Sequence, residues 1–125
     1  MGSYADDALF MSRNNIEYVE LISDDGKSKV MVIPAWQGRV MTTSAAGDEG
    51  DSYGWINYSF IKKRQIDLQF NPVGGEERFW LGPEGGVFSL YFRQGEKQIY
   101  KNWKVPPVLD IEAFKIQSQS KNCIC

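Results

Sequence analysis

The apolar residues of this chain fall mostly into short runs separated by polar turns. In Ile16-Glu17-Tyr18-Val19-Glu20-Leu21-Ile22 and Lys29-Val30-Met31-Val32-Ile33, β-branched and aromatic residues dominate, and Asp24-Asp25-Gly26-Lys27 between them has turn composition, which predicts a β-hairpin. After Pro34 and a turn at Trp36-Gln37-Gly38, residues 39–44 read as a third strand. Farther on, Phe88, Leu90 and Phe92 alternate with Ser89, Tyr91 and Arg93, the period of a half-buried strand. Residues 78–81 and the glycine-proline loop 82–86 precede it, so a second hairpin is predicted there. Residues 111–116 are a candidate last strand, whereas Pro106-Pro107 bars residues 103–109 from the middle of a sheet. One clear helical signal stands at residues 3–11: Ser3 suits the N-cap, Asp6 and Asp7 suit the positive end, and Leu9, Phe10 and Met11 supply an apolar anchor. Residues 45–52 read as a polar loop, and 53–61 as either a helical turn or an irregular aromatic segment. Residues 62–70 are left unassigned, and 117–125 read as a polar, unstructured tail. The sum is an all-β chain: an antiparallel β-sandwich with a short N-terminal helix and an ordered core over residues 14–116.

Composition narrows the function. At 125 residues, with 42% hydrophobic and 14% aromatic content, the chain has the size and apolar payload of one globular domain. Lys+Arg 14 against Asp+Glu 16 gives a formal charge of −2, and the short run Lys62-Lys63-Arg64 does not make a basic field, so nucleic acid is not an expected partner. No apolar run approaches the roughly 20 residues of a membrane-spanning helix, and residues 1–13 lack the form of a signal peptide. The compartment stays open, since a removed signal would be compatible with a periplasmic or extracellular protein. There is no histidine, which removes the usual general base, the commonest metal ligand and the partner of a nucleophilic serine or cysteine. Cys123 and Cys125 stand one residue apart, so a bridge between them would close almost no loop, and two thiolates fall short of a structural zinc set. No cofactor and no metal site are expected.

The most specialised stretch is residues 71–89, with five glycines, two prolines, three glutamates, an arginine and a tryptophan. Glycine permits positive φ or close approach by another backbone or a ligand. A charged side chain on a rigid element beside an aromatic face suits a sugar or a carboxylate, which makes Arg78 and Trp80 candidates. The plainer reading is a glycine-rich hairpin in which Glu76, Glu77 and Glu84 are ion-pair partners of Arg78 and Trp80 and Trp55 are core. Which face of the predicted hairpin carries Arg78 depends on register: without a bulge it joins Leu90, and with one it joins Ser89 and Tyr91.

Three segments carry a resemblance: Trp36-Gln37-Gly38-Arg39-Val40-Met41-Thr42-Thr43-Ser44, Tyr53-Gly54-Trp55-Ile56-Asn57 and the string from Asn71 to Gly86. Together they resemble the N-terminal part of an uncharacterised family of gut Bacteroides-type proteins, itself similar to the galactose mutarotase-like, carbohydrate-handling superfamily. The resemblance spans residues 16–115 and implies a partial β-supersandwich with a sugar on a concave sheet. It also implies sugar-binding arginines in this half, matched by Arg39 and Arg78. A mutarotase uses a histidine acid and a glutamate base from later in its chain; with no histidine here, the implied role is recognition without catalysis. The candidate ligand-binding set is Arg39, Asn57, Asn71, Glu76, Glu77, Arg78, Trp80 and Glu84, with no catalytic residue assigned. The alternatives are a structural or oligomerisation β-domain without ligand, with a homo-oligomer as its state, and a sugar epimerase or lyase working through carboxylates.

Overall fold

The computed structural model describes residues 2–125. Its first element, helix α1 (Tyr4–Arg13), begins as its sequence dictates. Ser3 accepts a hydrogen bond from the Asp6 amide at 3.2 Å and the Asp6 carboxylate accepts one from the Ser3 amide at 3.0 Å, a reciprocal capping box. Tyr4, Asp7 and Met11 lie three and four residues apart, so they share the face that the helix buries.

Strands β1 (Val19–Ile22), β2 (Lys29–Ile33) and β3 (Arg39–Ser44) form an antiparallel sheet in sequence order. Val19 pairs with Val32, and Ile22 with Lys29, around the turn that the Asp25 side chain closes on the Lys27 amide at 3.0 Å. Opposite β2, Met31 faces Thr42 but Val32 faces Val40, so Met41 is the extra residue of a bulge. The bulge bends β3 where Met41 enters the core. That core joins α1 to the sheet through Tyr4, Met11, Met31, Ile33 and Met41 and is closed by Ile56, Ile61 and Val73. Short helix α2 (Tyr58–Lys62), capped by Asn57, settles residues 53–61 as a helical turn at their end.

The chain after α2 departs from the expected second hairpin. Residues 78–81 and 87–93 form no ladder, so the question of register between them does not arise. Residues 71–77 instead run as a strap over β3, making single bridges from Glu77 to Val40 and from Gly74 to Ile56. Aromatic packing replaces the missing ladder: Trp80 stacks on Tyr91 with centroids 5.2 Å apart, Tyr91 on Trp103 at 5.9 Å, and the Tyr91 hydroxyl donates to the Leu81 carbonyl at 2.6 Å. Tyr91, Val105 and Leu109 form the buried centre of this second cluster. Helix α3 (Pro107–Asp110) starts on a proline, which needs no amide partner in the first turn.

Two further expectations change. Residues 111–116 form no strand, and Phe114 is fixed by one bond from its amide to the Pro34 carbonyl at 2.9 Å. The tail is not unstructured: β4 (Gln119–Ser120) and β5 (Cys123–Ile124) pair as a ribbon, tethered when the Ile22 amide donates to the Lys121 carbonyl at 3.0 Å. Cys123 and Cys125 are free and exposed. The result is a small β-rich domain of small antiparallel sheets and few helices. Among the described residues no helix is long and apolar enough to cross a membrane.

Candidate functional site

Two chain segments distant in sequence, the start of β3 and the strap, converge on Asp110. Gln37 and Gly38 both adopt positive φ, 59° and 65°, and turn the chain so that β3 starts with Arg39 facing inward. The Gln37 side chain donates to the Glu112 carbonyl at 2.8 Å, which fastens the end of α3 beside that turn. The strap then crosses Arg39 closely. A Cβ on Gly75, whose φ is +113°, would stand 2.9 Å from Arg39 Cδ, so only glycine permits this approach.

At the centre, the Asp110 side chain is only 1% exposed and both of its oxygens accept hydrogen bonds. Oδ2 accepts from the Asn71 amide at 2.7 Å and from Asn71 Nδ2 at 2.8 Å, while Oδ1 accepts from Arg78 Nη2 at 3.2 Å. Arg78 also donates to the Leu109 carbonyl and lies over the Trp80 ring, 4.4 Å from its centroid. Arg39, its side chain 4% exposed, donates to the Gly74 carbonyl at 2.8 Å and approaches Asp110 to 3.9 Å. Burial foremost, then the neighbouring charge of Arg78, pulls the Arg39 guanidinium down to about 10, against the opposing pull of Asp110.

Arg39, Asn71 and Asp110 line a cavity of about 310 Å³ whose walls include Trp36, Phe60 and Ile66. That is the lower end of the size range of small-ligand pockets, roughly 300–1,000 Å³, and it combines apolar walls with a few polar groups as such pockets do.

The residues singled out in the sequence therefore divide. Arg39, Asn71 and Arg78 come together, with Trp80 behind Arg78. Asn57 is the cap of α2, accepting from the Phe60 amide at 3.2 Å and donating to the Pro72 carbonyl at 2.9 Å. Glu76 is held on the far edge of β3, where it accepts from the Thr43 amide at 2.7 Å. Glu77 is exposed and bridges to Val40 through its backbone. Glu84 accepts from Trp80 Nε1 at 2.6 Å. None of the three glutamates pairs with Arg78; its carboxylate partner is Asp110, which the sequence reading did not single out. Asp110 follows a Pro-Pro pair that signals only a helix start, and its partner Arg78 lies 32 residues away, so no local pattern marks it. Trp36 and Phe60 are the aromatic rings that face the cavity, since Trp80 is already stacked on Tyr91.

A small β-rich domain with a buried arginine-carboxylate cluster beside a cavity is the class that fold and site define. The chain belongs to a family of unknown function, DUF6786, which it matches over residues 2–125. Neither the curated proteins nor the solved structures contain a match to it.

Proposed function

We propose that this is a carbohydrate-recognition domain of mutarotase-like ancestry, of antiparallel β-sandwich type, that binds a sugar without transforming it. The observation that carries the reading is the convergence of Arg39, Asn71 and Asp110 on one cavity with aromatic walls. Arg39 and Asp110, the latter held in place by Asn71, present a fixed donor and acceptor that suit the hydroxyls of a sugar, and the apolar faces of Trp36 and Phe60 suit its ring carbons. Carboxylate-pair chemistry has less support, because Glu76 and Glu84 are engaged elsewhere and Asp110 is the cavity's one carboxylate among the described residues.

A thermal-shift screen of monosaccharides tests this reading, since a ligand stabilises by RT ln(1 + [L]/Kd) and weak binders register at high concentration. A sugar is expected to raise the melting temperature, and Arg78→Ala to abolish that rise while the protein still folds, because Arg39 remains near Asp110. If no sugar shifts the wild-type protein and Arg78→Ala only destabilises it, the cluster is structural. A second reading, a β-domain that serves assembly, is favoured by the exposure of Val87 (91%) and Phe88 (82%).

A further inference from the structure

The charges around the cavity do not balance. Three guanidinium groups stand on it or directly behind it: Arg39 and Arg64 on its lining, and Arg78 across Asp110. They face one carboxylate. Among the described residues Arg64 has no ion-pair partner, and Arg39 and Arg78 share Asp110 alone. Asp110 already accepts two hydrogen bonds from Asn71 and one from Arg78. Its distance of 3.9 Å from Arg39 is too long for a hydrogen bond, and the Nε of Arg39 is buried with no partner at all. A buried guanidinium thus lacks both a counter-charge of its own and a full set of acceptors, which is costly unless something supplies them.

We propose that the supplier is the ligand: the cavity selects an acidic sugar, a hexuronate whose carboxylate is held by Arg39 and Arg64 while its ring lies against Trp36 and Phe60. This inference rests on the carbohydrate reading above. A guanidinium presents paired N–H groups that match the two oxygens of a carboxylate. The size and apolar walls of the cavity exceed what a simple anion needs, and the Asn14 and Gln65 amides on its lining can meet ring hydroxyls.

Calorimetric titration of the intact chain with glucuronate and galacturonate, glucose and galactose, and acetate and sulfate separates the possibilities. The uronates are expected to bind about tenfold or more tighter than the matching neutral sugars, a difference of about 1.4 kcal/mol, and tighter than acetate or sulfate. Added sodium chloride should weaken them, because the exposed Arg64 is screened. Arg64→Gln, at a solvent-facing position, should cut the uronate preference severalfold while the protein still folds. Arg39→Gln should remove the preference altogether. Equal affinity for acidic and neutral sugars overturns the inference and leaves the carbohydrate reading standing. Acetate and sulfate binding as well as the uronates, an adventitious anion site, overturns both readings, and so does the absence of any binding.

Discussion

Asp7 and Asp110 are the carboxylates that the described chain buries, and their surroundings differ in kind. Asp7 is dressed by neutral hydroxyls: Ser52 and Tyr58 both donate to it, and Thr42 is hydrogen-bonded to Ser52. This chain of contacts pins α1 to β3 and to α2, which is a structural task. Asp110 is dressed by an amide and two guanidinium groups beside a cavity, and there the cations outnumber it. Burial foremost, then the hydrogen bond to Asp7, pushes the Tyr58 hydroxyl up to about 12 from its ordinary 10.0. Because the folded value lies above the unfolded one, the contribution of Tyr58 to stability is full below about pH 10 and is lost as pH rises toward about 12. Tyr58→Phe is therefore expected to remove one late step from an alkaline titration followed by tyrosinate absorbance. It should also lower stability near neutral pH by ~1 kcal/mol, the typical worth of one hydrogen bond. Loss of a step near the ordinary value of 10.0, in place of the late one, would show that Tyr58 is not held on Asp7.

Among the elements, the strap of residues 71–77 decides whether a site exists, because it lays Gly74 and Gly75 on Arg39 and carries Asn71 and Arg78 to Asp110. Gly75→Ala would place a methyl group 2.9 Å from Arg39 Cδ and 3.0 Å from the Val40 carbonyl, at a φ that side chains rarely adopt. Urea denaturation should show a loss of ~2 kcal/mol, the usual scale for backbone strain of this kind, and any ligand-induced stabilisation should vanish with it. Gly82→Ala is the control: its Cβ would meet nothing within 4 Å and its φ is not positive, so it should be nearly neutral. These contrasts also explain what could be read in advance. The cap of α1, the β1-β2 turn and β3 rest on signals within a few residues of each other, and all were legible. The alternation of residues 87–93 is a local signal too, yet it misled, because Tyr91 is drawn into a stack with Trp80 and Trp103 and not into a sheet. Arg39, Asn71 and Arg78 could be singled out by residue type and by the glycines around them. Asp110 could not, since its position depends on a contact between Gln37 and Glu112, 75 residues apart. The glutamates near Arg78 in sequence were then credited with a role that a carboxylate near it in space performs.

On the scale of the whole molecule, the apolar surface is uneven. One core lies between α1 and the sheet and another around Tyr91, while Val87, Phe88, Leu90 and Phe79, close together in sequence, remain exposed. The sheet also has an open side: β1 is laddered to β2 alone, and its outer edge meets the tail ribbon at one backbone bond. Exposed apolar side chains and unpaired strand edges are features that proteins cover or pair. A two-fold dimer covers the same patch on both subunits and is the simplest closed arrangement. The assembly reading therefore predicts a homodimer or higher oligomer with an interface rich in Phe, Ile and Val. A stable interface needs on the order of 1,000 Å² or more in total, so several of these residues must take part together. Light scattering of the wild-type chain should give a mass above that of one chain. Phe88→Lys should return it to a single chain with little effect on folding, because the ring is exposed in the isolated subunit. A wild-type protein that stays monomeric across the accessible concentration range would remove the assembly reading and leave ligand recognition as the role to be tested.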